Sequence, residues 1–178
     1  MENKEAFRLF RRYIIIILLG LFNLKLFYLV FEPLTVRPTF AILSALYDNA
    51  TILADNLLFF GGIYAHIIPA CIAGSAYYLL LILNMTTPMS VGRRLKSLLF
   101  LFLTFLIVNV IRIVLFATIA TTGQDYFDVA HKLMWYFGST ILVVIIWFVN
   151  VWIFKIRDIP IYTDVKNLYK EVVSGKKE

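Results

Sequence analysis

Long apolar segments recur along the chain and predict its fold class. Four runs of mostly apolar residues occupy positions 13–31, 66–84, 97–121 and 132–154. A transmembrane helix needs about 20 predominantly apolar residues, so each run is long enough to cross a bilayer. The pattern predicts an all-α integral membrane protein with four transmembrane helices in one domain covering residues 1–178.

Residues 40–60 break this pattern with polar side chains placed among apolar ones. Asp48 and Asp55 are seven positions apart, and Asn49 and Asn56 repeat that spacing. On a helix, all four side chains would lie on one face. We therefore expect an amphipathic helix lying on the outer membrane surface here, in preference to a fifth span.

Prolines, glycines and charges mark the boundaries between segments. Pro33 and Pro38 predict that the first helix ends near residue 32 and that a loop follows. Gly61-Gly62 predicts a break before the second span, residues 86–96 form a polar loop, and residues 155–178 form a charged tail. The first run is too long for a signal peptide and lacks a small-residue cleavage site, which favours a retained helix.

Composition and charge agree with the membrane assignment and predict an orientation. Of the 178 residues, 61% are hydrophobic and 16% are charged, and the net charge is +6. The basic residues concentrate before residue 13, in the 86–96 loop and after residue 154. The positive-inside rule then predicts that both termini are cytoplasmic in a multi-pass protein of the cell membrane. The basic balance thus indicates topology and contact with anionic lipid, and no nucleic-acid partner.

Cys71 is the only cysteine and a candidate nucleophile. It follows Pro69, a residue suited to the first turn of a helix. A thiol in the opening turn of a membrane helix feels the positive end of the helix dipole, which favours the thiolate. Gly74, three positions later, would leave the same helical face without a side chain. The alternative is an inert buried cysteine, since free cysteine is among the most buried residue types.

Arg112 interrupts the third apolar run and is a second candidate. An arginine inside a membrane helix is unfavourable unless it has a function or a partner. No Asp or Glu lies within the four predicted spans, so a structural ion pair is not expected there. The guanidinium could instead stabilise a thiolate or an oxyanion, and Asn109, one turn earlier, could orient it.

Topology predicts that these residues meet in the outer leaflet. Cys71 lies about one turn inside the second span, and His131 lies at the outer mouth of the fourth. Arg112 is nine residues before Thr121, or about 13 Å below the outer end of the third span. His131 could serve as general acid and base or be a solvated interfacial histidine, and His66 is a second, less well placed base.

The candidate residues resemble the signature blocks of a known family, the archaeosortase/exosortase family of membrane-embedded cysteine transpeptidases. The blocks are Pro69-Ala70-Cys71-Ile72-Ala73-Gly74-Ser75-Ala76, then Asn109-Val110-Ile111-Arg112, then His131. The resemblance implies that Cys71 is the nucleophile, Arg112 the cationic stabiliser and His131 the third catalytic position. The family block has Ser or Thr directly after the cysteine and then Gly, whereas Ile72-Ala73 precedes Gly74 here. The chain is also shorter than typical exosortases, which favours a small archaeal type.

The resemblance also implies the substrate and the partners. The family acts on C-terminal sorting signals of secreted proteins, in which a short motif precedes a membrane helix and a basic cluster. The enzyme would cleave this signal just outside the substrate's membrane anchor without a cofactor, through a thioester on Cys71 that a lipid acceptor or water then resolves. The competing hypothesis is a non-catalytic four-helix membrane scaffold, in which Cys71 only packs and Arg112 is structural.

Overall fold

A computed structural model describes residues 3–22, 24–53, 56–122 and 138–156, and this part of the chain is mostly helical. Its helices are α1 (Asn3–Leu21), α2 (Lys25–Leu46), α3 (Pro69–Ile72), α4 (Gly74–Thr86), α5 (Val91–Thr122) and α6 (Ser139–Ile153). Its strands are β1 (Thr51–Ile52), β2 (Leu57–Phe60) and β3 (Ile63–His66). The strands form one antiparallel sheet in the order β1-β2-β3.

Three helical stretches, Lys25–Leu46, Pro69–Thr86 and Val91–Thr122, are long and apolar enough to cross a membrane. Helix α6 is a shorter apolar helix. Large apolar side chains are exposed along most of these helices, from Leu29 in α2 to Trp152 in α6. Such an apolar surface suits lipid rather than water, which is consistent with the class predicted from the sequence, a membrane protein.

The helices that follow the sheet, α4, α5 and α6, run in alternating directions, so that α5 is antiparallel to both α4 and α6. Helix α4 ends beside the start of α5, where Asn84 donates to Ser97. Helix α6 runs back along α5, because Arg112 contacts Ser139 and Phe100 contacts Phe154. We call the end of the bundle that holds Arg93, Arg94, Lys96 and Lys155 the basic end.

The sheet and the last turn of α5 lie at the opposite end, which we call the sheet end. Tyr47, just after α2, shares a hydrogen bond of 3.1 Å with the Thr121 hydroxyl. Gly61, at the turn between β2 and β3, lies so close to Thr121 that a Cβ there would be 2.8 Å from the threonine methyl group. Helix α2 therefore runs parallel to α5, and its C-terminal end lies next to the sheet that follows it in the chain.

The predicted first span is wrong in its boundaries. Helix α1 ends at Leu21 and α2 begins at Lys25, preceded by Leu24 in a left-handed backbone conformation with φ of 57°. Helix α2 then continues through Pro33 and Pro38 to Leu46. Prolines are tolerated inside membrane helices because neighbouring helices and side chains satisfy the freed backbone groups. As a result Glu32 lies within a candidate span, where its carboxylate accepts a hydrogen bond of 2.7 Å from Asn56.

The predicted surface helix at residues 40–60 is also wrong, and a small sheet in this region makes the fold mostly helical rather than all-α. Residues 40–46 belong to α2, and strands β1 and β2 occupy residues 51–52 and 57–60. Burial alternates along β2, with Leu58 and Phe60 buried, which is the two-residue period of a strand. Gly61 and Gly62 both have positive φ, the conformation that tight hairpin turns require. The seven-residue spacing of Asn49 and Asn56 therefore does not lie within one helix, and Asp55 is outside the described residues.

The remaining spans differ from the prediction mainly at their starts. The second begins at Pro69 rather than residue 66, and it breaks at Ala73, where φ is 59°. The third begins at Val91, so most of the predicted 86–96 loop is helical. Of the predicted fourth span, residues 132–137 lie outside the described residues, as does most of the 155–178 tail.

Aromatic rings fill the centre of the bundle between α2, α4 and α5. Tyr77 stacks on Phe31 with ring centroids 3.6 Å apart and meets Phe105 edge-on at 4.8 Å. Phe102 contacts both Phe31 and Tyr77 with its edge. These contacts fix α4 against α5 one to two turns from the residues predicted to be catalytic.

Candidate active site

Cys71 lies in the single turn of α3, as the position of Pro69 predicted. Its N–H donates a hydrogen bond of 2.8 Å to the Ile68 carbonyl, and its side chain is half-buried. Helix α3 has only four residues and ends at the left-handed Ala73. So short a helix has few aligned peptide dipoles, so the helix-dipole part of the thiolate prediction loses its basis.

Asn109 and Arg112 both reach Cys71 from α5. Asn109 donates from Nδ2 to the Cys71 carbonyl at 2.9 Å, and Arg112 donates from Nη2 to the same oxygen at 3.5 Å. The predicted meeting of Cys71 and Arg112 is therefore seen in the structure. The hydrogen bonds, however, go to the backbone carbonyl of Cys71 rather than to its thiol.

The expected pairing of Asn109 with Arg112 is replaced by a shared acceptor. Both side chains lie on the face of α5 that packs against α3, since they are three residues apart. The Asn109 side chain is fully buried, and that of Arg112 is half-buried. Two donors on one carbonyl fix the backbone at Cys71, so Asn109 positions the cysteine rather than the arginine.

Ser139, at the start of α6, also belongs to this site and was not predicted. Arg112 donates from Nη1 to the Ser139 hydroxyl at 2.5 Å. The guanidinium therefore bridges α6 and α3, which the planar fork of arginine does well. The only sequence signal is a hydroxyl residue after Gly138 at the edge of an apolar run, and that pattern is equally typical of a helix start.

Gly74 is required by close packing rather than by a shared face with Cys71. The left-handed Ala73 separates the two residues, so the predicted three-residue helical relation does not hold. A Cβ at Gly74 would lie 2.8 Å from Cζ of Tyr28. The glycine therefore lets the Tyr28 ring pack against the first turn of α4, directly after the cysteine.

The two histidines differ in what the structure describes. His131, the predicted acid and base, lies outside the described residues. His66 is the last residue of β3, and its side chain is exposed. It lies five positions before Cys71, on the strand that leads into α3.

Among the residues that the structure describes, the site has few other ionisable groups. Within the described ranges, no group of three or more His, Cys, Asp or Glu residues is placed to hold a metal ion. The Arg112 guanidinium, which donates to the Cys71 carbonyl, places a positive charge near this residue. A thiol beside a cation, on a backbone fixed by two donors, can act as a nucleophile.

Comparison of the chain with protein-family models, with curated proteins and with solved structures found no match in any of the three.

Proposed function

We propose that this protein is a membrane-embedded cysteine transpeptidase or peptidase that cleaves the C-terminal sorting signal of exported proteins. The observation that supports this most directly is the placement of Arg112, a cation within a membrane helix, at Cys71. No carboxylate among the described residues pairs with this guanidinium, and its known partners are neutral oxygens. The pattern of the sequence blocks, similar to that of the archaeosortase/exosortase family, agrees with this site.

The proposed topology has four spans, cytoplasmic termini and an outward-facing site. Its support is the grouping of Arg93, Arg94, Lys96 and Lys155 at the basic end, opposite the sheet. Basic residues remain on the cytoplasmic side, so the sheet end would face outward. Arg112 lies nine residues before Thr121, hence about 13 Å from that end, so Cys71 would lie within the outer leaflet.

In the proposed reaction, the Cys71 sulfur attacks the carbonyl carbon of a peptide bond next to the membrane anchor of the substrate. A C–S bond forms, the peptide C–N bond breaks, and the thiol proton passes through His131 to the leaving amine. Arg112 stabilises the negative charge on the sulfur and on the tetrahedral intermediate. An amine of a lipid acceptor, or water, then attacks the thioester and returns a proton to the sulfur.

The decisive experiment compares Cys71→Ser with Ala70→Ser in cells. Both variants add one hydroxyl in the same turn, but only the first removes the thiol, and a serine without a strong base is a poor nucleophile. We expect exported proteins with C-terminal membrane helices to keep those helices in Cys71→Ser cells and to lose them in Ala70→Ser cells. The measurement is mass spectrometry of C-terminal peptides, with the abundance of each variant checked alongside.

Two results would decide against the enzyme. Normal loss of the C-terminal helices with Cys71→Ser at wild-type abundance would favour the scaffold hypothesis. So would the absence of any acyl adduct on Cys71 when wild-type protein is isolated rapidly in acid, conditions under which thioesters persist.

A further inference from the structure

In the described part of the chain, strand β3 has an edge without a neighbouring strand, and this edge lies beside the candidate active site. The sheet order places β2 on one side of β3 and no strand on the other within the described residues. The Ile67 N–H donates to the Asn56 carbonyl at 3.1 Å, next to the pairing of Leu57 with His66. Hydrogen-bonded pairs alternate in an antiparallel ladder, so Ala65 and Ile63 also direct their main-chain groups to β2.

Tyr64 and His66 therefore direct their N–H and C=O groups away from β2. No backbone hydrogen bond from these groups is found in the part of the chain that the structure describes. The Tyr64 side chain is 67% exposed, and the His66 side chain is exposed on the same face. Among the described residues, no strand pairs with this edge, which leaves its main-chain groups available to a further strand.

The depth of β3 makes an unpaired edge unfavourable. The strand starts beside the Gly61-Gly62 turn, which lies at Thr121, and leads to Cys71, which lies at Arg112. It therefore follows the last turns of α5, within about 13 Å of the end of that helix. Unpaired backbone groups at membrane depth have few waters to satisfy them, so a partner with its own main-chain groups is favoured.

We propose that an extended segment of the substrate pairs with the outer edge of β3 as a fourth strand and is thereby led to Cys71. This proposal rests on the proposed function and names how the same site recognises its substrate. An added strand obtains its affinity from main-chain hydrogen bonds, which any peptide can make. Selection among sequences then comes from alternate side chains of the segment, those on the face shared with Tyr64 and His66.

The number of residues between β3 and Cys71 determines which part of the substrate would pair with β3. His66 is three positions before Pro69 and five before Cys71, and an extended chain covers about 3.3 Å per residue. A segment paired with Tyr64 and His66 therefore lies within about five residues of the peptide bond that Cys71 attacks. The recognised motif would directly adjoin the cleavage site rather than lie within the membrane anchor.

The test uses proline to remove one outward N–H. Tyr64→Pro deletes a donor that faces away from β2, and a proline is tolerated at such an edge position. Ile63, before it, is already extended, as a residue preceding proline prefers. Tyr64→Ala is the matched control, because it removes the side chain and keeps the N–H.

Both variants are made in full-length Cys71→Ser protein, so that binding is measured without chemistry. The probe is a pool of synthetic peptides with eight random residues, a polyleucine helix of about 20 residues and a lysine cluster. We expect the Cys71→Ser protein to retain the pool in detergent micelles. Tyr64→Pro should bind about fivefold more weakly than Tyr64→Ala, the effect of losing one main-chain hydrogen bond. The Cys71→Ser protein should retain a pool N-methylated at alternate amides as poorly as the Tyr64→Pro variant retains the unmethylated pool.

Three results would overturn the proposal. The first is no retention of the pool by Cys71→Ser protein, and the second is equal retention by Tyr64→Pro and Tyr64→Ala. The third is a dimer of the wild-type protein that Tyr64→Pro dissociates, since the edge would then pair with a second copy of this chain. An acyl adduct on Cys71 together with any of these would leave the proposed function intact. If the Cys71→Ser protein retained the pool and Cys71→Ser cells still processed exported proteins normally, only the proposed enzymatic activity would be excluded.

Discussion

At the scale of single residues, the site depends on how two polar side chains of α5 hold the backbone of α3. Asn109 and Arg112 share the Cys71 carbonyl as acceptor, and Arg112 also contacts Ser139. Side-chain hydrogen bonds between membrane helices usually stabilise the bundle by about 1 kcal/mol each. Arg112 adds a charge next to a thiol, which a purely structural contact does not need.

Substitutions at Arg112 separate its charge from its hydrogen bonds. Arg112→Gln keeps a donor and removes the charge, so alkylation of Cys71 by iodoacetamide should slow about threefold or more at neutral pH. Arg112→Lys keeps the charge, and its alkylation rate should stay close to that of the wild type, although cleavage should fall because the planar fork is lost. Rates are measured by mass spectrometry of the alkylated peptide in detergent.

Ser139→Ala is the control for this comparison. It removes one contact of the guanidinium without removing the charge, so the alkylation rate should change little. Equal rates in wild type and Arg112→Gln would contradict a role for the charge at the thiol.

The sequence allowed the meeting of Cys71 and Arg112 to be predicted, because residue count along a helix determines depth. It did not predict what Asn109 and Arg112 bind. The hydrogen-bond acceptor depends on the rotation and tilt of α5 against α3, which spacing within one helix does not determine. Ser139 was missed for the same reason, since only the packing of α6 brings it to the guanidinium.

At the scale of elements, the ends of α4 and α5 are joined by a second arginine, at the basic end. Arg94 donates from Nη1 to the carbonyls of Asn84 and Met85, at 2.7 and 2.9 Å, and from Nη2 to that of Thr87 at 3.0 Å. These are among the carbonyls that the last turn of a helix leaves without an intrahelical partner. The sequence suggested only a topological role for this residue.

We predict that Arg94→Ala destabilises the protein and that Arg93→Ala does not. Both variants remove one positive charge from the basic end, but the Arg93 side chain is exposed. The loss of charged donors to several carbonyls should lower the free energy of unfolding by about 2 kcal/mol, against less than about 0.5 kcal/mol at an exposed site. The measurement is thermal unfolding in detergent, and similar melting temperatures for the two variants would contradict the capping role.

The helices were predictable as elements, whereas the sheet was not. Apolar runs long enough for a bilayer predicted helices in the regions of α4, α5 and α6, although α4 begins eight residues later and α5 six residues earlier than expected. The sheet is short, and its strands bring together side chains such as Phe59 and Tyr64 that no local period marks. Pro33 and Pro38 led to a wrong prediction of where the first helix ends, because a helix surrounded by other helices tolerates proline.

At the scale of the whole molecule, a buried polar chain joins the three helices at the basic end. Asn84 donates to the Ser97 hydroxyl at 2.8 Å, and Ser97 donates to Asn150 Oδ1 at 2.9 Å. All three side chains are fully buried. Buried polar contacts of this kind fix how α4, α5 and α6 pack together. The sheet end, in contrast, carries the candidate active site and the open edge of β3.

This division of the molecule leads to a prediction about orientation. In a Cys71→Ser background, single cysteines at Ser90 and Asp48 report on the two ends, since both side chains are exposed. Thr87, also in the turn at the basic end, is unsuitable because it is fully buried. The positive-inside rule predicts that a membrane-impermeant maleimide reaches Ser90→Cys only from the cytoplasm and Asp48→Cys only from outside.

The control for labelling is the Cys71→Ser protein without an added cysteine, which should not react from either side. Labelling is read as a mass shift in intact cells and in inverted vesicles. If Ser90→Cys reacted from outside, Cys71 would lie in the cytoplasmic half of the membrane. The site could not then reach a signal that has already crossed the membrane, and the proposed cleavage of exported proteins would be ruled out.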